Sequence, residues 1–498
     1  AIDQNGLLYV WGNNDNGQLG VEGNIVAYPT LVEALKDDPE TTVDETILVS
    51  AIELSESHTI IIDALTKRAY TWGENDRNQL GYQQSILNNG KVMTSPTTEN
   101  YAKEAHLVSR DKGDLNFLEV ASGKKHSVGI VIPSSEAQTA TQGTVYAWGD
   151  NTYGQLGQNT SGSSSAMLQA VKKANGESIT NAVAVAAADN YSLALTADGI
   201  VYAWGDNTYG QLGDGPITEG LTGGTVKDDY IHRNFTYTGT GDLNYTAFPV
   251  QVKTAKDTPL VNIVSASANQ NYNVAADANG DVYIWGNVNG LSYTYAQKMT
   301  GFTGKNIIAV SAGYSHFIAL SKDGYVYSWG ANSYGQLGNN SVTSSSMPVQ
   351  VRNPISDGYL DGIIKIAQGM YHSVALTSDG KVYTWGRGAD GQLGTGNTSN
   401  SLIPVAVVTA ASTSETEDAQ YLTNIVDIAA GDDFTAALDN KGRVWMFGNN
   451  TSGLLGISKT DDIQKYPQRV LAGKSKSATM YLENIVSIAA GAHHMLAL

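Results

Sequence analysis

The 498-residue chain contains no cysteine. Disulfides, thiolate metal sites and cysteine nucleophiles are excluded together. Long apolar runs are also missing, and no stretch approaches the roughly 20 residues a bilayer-spanning helix needs. Basic runs are absent too. Against 48 Asp and Glu stand only 30 Lys and Arg, a net charge of −18. DNA or RNA as a partner requires a basic patch that releases counterions, so a nucleic-acid role is excluded and an anionic membrane surface is disfavoured. Charged residues make up only 16 % of the chain, while 41 % are hydrophobic, which rules out a disordered chain. No G-x-S-x-G elbow, P-loop or H-E-x-x-H occurs, so no enzyme activity is expected.

What the chain has is repetition. The phrase VYxWG-x-N-x-x-GQLG returns at Trp11, Trp72, Trp148, Trp204, Trp285, Trp329 and Trp385, and an eighth copy, WMFGNNTSGLLG, puts Phe447 in the tryptophan slot. The copies stand 44 to 81 residues apart. That is too long for a helical hairpin and suits a four-stranded propeller blade. Between the copies a second phrase, IVxIAAGxxHSxALTxDG, also returns eight times.

The segment from Ile363 to Val407 shows one unit. IIKIAQG is an apolar strand ending in small residues, which suit a crowded axis. After MYH comes SVALTS, then the Asp379-Gly380 hairpin turn, then KVYTWG. The third strand's Tyr and Trp would fill the widening space between blades. A polar loop, GADGQLG, leads to a fourth strand announced by Pro404. Proline recurs there at Pro29, Pro96, Pro249, Pro348 and Pro467. It cannot donate to a ladder, so this strand is placed outermost. Many of the 53 glycines belong to the tight turns between these strands.

The chain opens with the second half of a unit and closes with the first half. The fold expected is therefore an all-β propeller of eight four-stranded antiparallel blades, with seven as the alternative. Residues 1–498 form one domain, whose first blade is shared by residues 1–32 and 484–498. The start at Ala1 reads as a processed or excised chain. The fifth copy is worn: GNVNGLSYTYAQKM replaces the GQLG loop after Trp285.

In such a meander the loops after strands one and three share one face. The longest insert, 214–248, follows a third strand and carries Tyr230, Phe235, Tyr237, Tyr245 and Phe248. Aromatic residues on a loop mark these five as candidate partner contacts. His58, His126, His316, His372 and His494 stand in register in the first turn of the repeats, as a ring of metal ligands would. Tyr191, Tyr272 and Phe434 hold the same slot elsewhere, and phenylalanine cannot ligate, so packing is expected. Loops such as NNDNG (13–17) and DNTYG (150–154, 206–210) suggest calcium, but no closing bidentate Glu follows. No cofactor is expected, with calcium as the single candidate.

Together, VYxWG-x-N-x-x-GQLG, PxxV and AAGxxHSxAL resemble the repeats of the regulator of chromosome condensation family, from residue 1 to residue 498. The resemblance implies a β-propeller with one blade mixing strands from both ends, although familiar members have seven blades. The eukaryotic namesake exchanges guanine nucleotide on a nuclear GTPase and binds chromatin. This chain lacks a basic tail, and no insert resembles the wedge such a factor uses. In charge and composition it is nearest to exported bacterial members, which include an inhibitor that clamps β-lactamases. The function expected is a non-catalytic scaffold, extracellular or at the cell surface, that binds another protein. The alternatives are a structural subunit of a surface filament or layer self-associating through the split first blade, a guanine-nucleotide exchange factor, and a carbohydrate-binding adhesin.

Overall fold

Each repeat folds as four strands paired antiparallel in chain order. In the seventh repeat these are Ile363–Gln368, His372–Thr377, Val382–Gly386 and Ser401–Ala406. Asp379-Gly380 makes the turn between the second and third strands, with Gly380 at φ +80°. The second strand is buried along its whole length, since it lies mid-sheet with a neighbouring sheet on either side. The structure is a computed structural model. It describes residues 8–32, 48–55, 57–81, 101–110, 113–215, 245–288, 291–409, 420–458, 463–472, 481–491 and 494–497.

Eight four-stranded sheets are described, each corresponding to one copy of the repeat and numbered here in the order of their third strands. The first sheet is made from both ends of the chain. Tyr9–Asn13 pairs with His494–Ala497 in the register Val10 to Leu496 and Gly12 to His494, with Ile25–Leu31 and Ile488–Ala490 at the edges. One apolar cluster runs through this sheet from Phe434 and Met446 by way of Trp11 to Trp72. The shared sheet is thus packed on both sides.

The fourth strands are edges, as their prolines require. In each, register slips opposite the tryptophan slot of the third strand. Ser328 pairs with Val349 but Gly330 pairs with Ser345, leaving residues 346–348 to face Trp329. Pro29, Pro249, Pro348, Pro404 and Pro467 each end such a bulge, where no ladder bond is needed from the missing N–H. Pro96 lies outside the described residues.

The first strands meet at the axis. All eight sheets contribute first-strand ends, among them Ser55, Gly123, Ala188, Gly313 and Gly369, to a central cavity of about 620 Å³. Small residues are needed because eight backbones converge there. Among the described residues no helix is long and apolar enough to cross a membrane.

Candidate protein-interaction face

The histidines that open the second strands do not converge on the axis. Each reaches sideways to the next sheet. His58 Nε2 lies 3.0 Å from Ser127 Oγ, His126 Nε2 2.9 Å from Ser192 Oγ, His316 Nε2 2.8 Å from Ser373 Oγ and His372 Nε2 2.9 Å from Thr435 Oγ1. Each hydroxyl then donates back to the carbonyl of the GQLG glutamine in the histidine's own sheet: Ser127 to Gln79, Ser192 to Gln155, Ser373 to Gln336 and Thr435 to Gln392, at 2.8–3.2 Å. The hydroxyl proton is committed, so the imidazole donates from Nε2. Burial holds these imidazoles neutral, with pKa lowered to about 4 for His126 and about 3 for the others.

The same glutamine carbonyl takes a second donor, the indole of the next sheet. Trp72 Nε1 donates to Gln18, Trp148 to Gln79, Trp204 to Gln155, Trp285 to Gln211 and Trp385 to Gln336, at 2.8–3.0 Å. The glycine closing GQLG sits against that indole. A Cβ on Gly81, whose φ is +65°, would lie 2.5 Å from Trp148 Cδ1. The repeated His, Ser, Trp, Gln and Gly are therefore parts of one clasp between neighbouring sheets.

The Asn-rich loops are closed on themselves. Asn332 Oδ1 accepts from Leu337 N–H at 2.9 Å, and Gln336 Oε1 from Tyr334 N–H at 3.0 Å. Asn14, Asn75, Asn151, Asn207 and Asn450 repeat the first of these bonds. The carboxylate of Asp150 accepts from Thr152 and Gln155, and that of Asp206 from Thr208. These oxygens answer donors within their own loop, as turn-forming Asn and Asp do, instead of facing a common centre. Among the described residues no three His, Cys, Asp or Glu side chains group as metal ligands. His494 pairs by its backbone in the first sheet.

With the motif residues assigned to the scaffold, the variable positions between them remain, and they lie on the face of the first and third loops. Tyr314, Tyr334 and Tyr371 cluster there. The Tyr371 ring meets Tyr314 edge-on at 5.8 Å and Tyr334 at 5.2 Å. Tyr314 is 43 % exposed. Burial and the neighbouring phenols raise the pKa of Tyr371. The adjoining loops 269–271, 287–288, 313–315 and 331–338 hold no charged residue. Elsewhere on this face Arg387 pairs with Asp390 in its own loop and with Asp433 of the next sheet, and Lys125 pairs with Asp76 and Glu74 of the preceding sheet.

The five aromatic residues singled out in the long insert fare differently. Tyr230, Phe235 and Tyr237 lie outside the described residues. Tyr245 is half-buried at the start of a fourth strand, its hydroxyl 2.9 Å from Ser161 Oγ and its ring edge-on to Tyr153 at 6.5 Å. Phe248 is only 7 % exposed, because the bulge before Pro249 turns it inward, and it belongs to the scaffold. The Tyr314 cluster was missed because each member looks like a filler inside a repeat phrase. The signal that finds them is an aromatic residue at the variable places of GYSH, MYH and SYGQLG.

Comparison with known proteins follows the repeats. The model of the RCC1-like domain matches residues 98–418, and those of the regulator of chromosome condensation (RCC1) repeat match 5–62, 425–454 and 441–498. The chain is 25 % identical to the ultraviolet-B receptor UVR8 of Arabidopsis thaliana, over 81 % of this chain and 77 % of the receptor. With the mitochondrial RCC1 domain-containing protein RUG3 of the same plant it shares 26 % identity, over 88 % and 89 %. It is 29 % identical to the human E3 ubiquitin-protein ligase HERC2, over 80 % of this chain but only 6 % of HERC2. Among solved structures, human WBSCR16 superposes with a TM-score of 0.56 at 21 % identity, over 99 % of both chains. Prp20p of Saccharomyces cerevisiae, described with its binding to Gsp1p and histones, gives 0.57 at 19 %, over 99 % of this chain and 91 % of that one. At these identities the structures show the fold. The named relatives are plant, human and yeast proteins, so the bacterial character expected from composition has no support among them.

Proposed function

Because the chain belongs to the RCC1-like family, we propose that it is a non-catalytic scaffold that binds another protein, outside the cell, on the face of the first and third loops. The observation that carries this reading is the cluster of exposed Tyr314 with half-buried Tyr334 and Tyr371, at the border between an uncharged sector and the Arg387–Asp433 pair, with Tyr314 lining the central cavity. Aromatic side chains flanked by polar rims are the usual anchors of protein interfaces. Protein partners of a relative, Gsp1p and histones for Prp20p, agree with such a use. The net charge of −18 favours a partner with a positive rim, which would associate faster at low ionic strength. The ligase activity in HERC2's name is not carried over, since the match covers 6 % of that protein. The extracellular setting rests on the cysteine-free, acidic composition.

The test is affinity capture with the intact chain and a Tyr314→Ser/Tyr371→Ser variant of equal thermal stability. A protein retained by the first at low salt and lost with the second supports the reading. Identical capture by both would remove it. In a fluorescent nucleotide-release assay with a small GTPase, no stimulation is expected.

A further inference from the structure

The fifth repeat is the one with neither GQLG nor its close variants NQLG (78–81) and GLLG (453–456), and its seam with the sixth sheet is built differently. At the serine slot stands Phe317, stacked on Trp329 at 5.0 Å with the rings 2° from parallel. Tyr272, in the histidine slot, packs against Phe317 at 4.9 Å, and its hydroxyl donates to the Gly313 carbonyl. Phe302 meets Trp329 edge-on at 5.3 Å. Aromatic packing has replaced the hydrogen-bonded clasp.

The replacement is incomplete. Trp329 is fully buried, yet its Nε1–H has no partner, whereas every other tryptophan of this slot donates to a carbonyl of the preceding sheet. Ser315 Oγ is also buried without a partner. A buried unpaired donor is costly, so the two unanswered groups at one seam call for an acceptor. A cavity of about 280 Å³ on the tyrosine-bearing face is lined by Ser315, by Asn287 and Val288 at the end of the fifth sheet's third strand, and by Phe317, whose ring lies over Trp329. Phe317, Val288 and Ala331 form its apolar part, Asn271 and Gln270 supply amides, and Tyr314 stands at the rim. None of its lining residues is charged.

We propose that this cavity is a socket for an uncharged reverse turn of a partner protein, which takes the place of the Gly-Gln-Leu-Gly turn that the fifth repeat lacks. The partner's turn supplies a backbone carbonyl to the orphaned donors and an apolar side chain to the Phe317 floor, while the amides pair with its remaining peptide groups. The volume is below the usual range for drug-sized ligands, and it suits the tip of a turn. The amphipathic lining and neighbouring Tyr314 favour a peptide over an ion or a charged metabolite.

The inference rests on the protein-binding reading and refines it. Its test uses as probe a cyclised peptide with the sequence of residues 332–339 of this chain, NSYGQLGN, and indole-¹⁵N-labelled protein. Comparison with Trp329→Phe assigns the Trp329 indole resonance. Saturable binding that shifts this resonance is expected. At least about a tenfold weakening is expected for the peptide with Glu in place of Gln, and for Ala331→Phe, which fills the socket. The other indole resonances report that Ala331→Phe is folded. No binding up to about 1 mM, binding with the Trp329 resonance unmoved, or equal binding by Ala331→Phe would each overturn the proposal. If the tyrosine variant still loses its captured protein while the socket test fails, only the socket is lost.

Discussion

At the scale of single residues, the tryptophans show how one side chain serves two purposes. Seven indoles are fully buried, and apolar burial of a large ring is worth about 2–3 kcal/mol. Six of them also donate to a carbonyl across a seam; Trp329 does not. Replacing indole by phenyl removes similar ring area at either site but removes a bond at only one. Trp385→Phe should therefore be less stable than Trp329→Phe by about 1 kcal/mol, the net worth of a buried hydrogen bond. Denaturant midpoints of the two variants check this, and equal midpoints would contradict the clasp. Phe447, which has no N–H to donate, already stands in the slot in the eighth sheet.

At the scale of elements, the GQLG loop couples its own sheet to the next. Its glutamine carbonyl takes bonds from the following sheet, and its last glycine touches that sheet's indole. Gly81 and Gly304 separate the two reasons for a glycine. Both have positive φ, +65° and +71°, so alanine at either is strained by about 1 kcal/mol. A Cβ on Gly304 meets nothing within 4 Å, while one on Gly81 overlaps Trp148. Gly81→Ala should cost at least about 2 kcal/mol more than Gly304→Ala in chemical denaturation, because the seam must part to admit it. A similar cost for both would show the contact with Trp148 to be slack.

At the scale of the whole molecule, buried titratable groups make stability depend on pH. His58, His126, His316 and His372 are held at about 3 to 4, while an unfolded histidine titrates near 6.5. As pH falls below 6.5 the unfolded chain takes up protons that the native one refuses, so stability drops. Two carboxyls act in the opposite sense. Glu53 and Glu119 sit on first strands beside the axis, and their pKa values are raised to about 8 and about 7, by burial first and, for Glu53, by the neighbouring Glu119. The native chain keeps those protons where the unfolded one has lost them, so stability declines as pH rises from 4.5 towards 8. Between pH 4.5 and 6.5 four histidines oppose two carboxyls. Below that window the opposition of the two glutamates is gone, Asp379 and Asp439, whose pKa values are lowered by their partners, add to the acid loss, and each histidine proton changes stability by about 1.4 kcal/mol per pH unit. A maximum near pH 6.5 is expected in denaturant titrations at stepped pH, with Glu53→Gln flattening the decline on the alkaline side. A steady rise in stability from pH 6.5 to 8 would sink this account.

Much of this protein could be read from the amino-acid sequence alone. Repeated Trp-Gly and Gly-Gln-Leu-Gly phrases announced the sheets, because each unit must bury the same aromatic residue in the same kind of seam. Proline fixed the fourth strand at the edge, since it cannot join a ladder on both sides. Half-units at the two ends foretold pairing of the strand at Trp11 with the strand at Met495, as observed. The worn fifth copy was also visible as a missing motif. What that loss left behind was decided only in three dimensions. An indole N–H is recognised as unanswered only when every neighbour is in place, and Phe317, Tyr272 and Phe302 reach Trp329's seam from separate strands and loops. The tyrosine cluster likewise draws on two sheets, bringing Tyr314 and Tyr334 to Tyr371 across a seam. Phe248 shows the converse, an aromatic residue that sequence placed on a partner surface and that a bulge turns inward. Repetition dictates the scaffold because its contacts are the same in every unit; the candidate site arises where the units differ, and such differences acquire meaning only once folding sets them side by side.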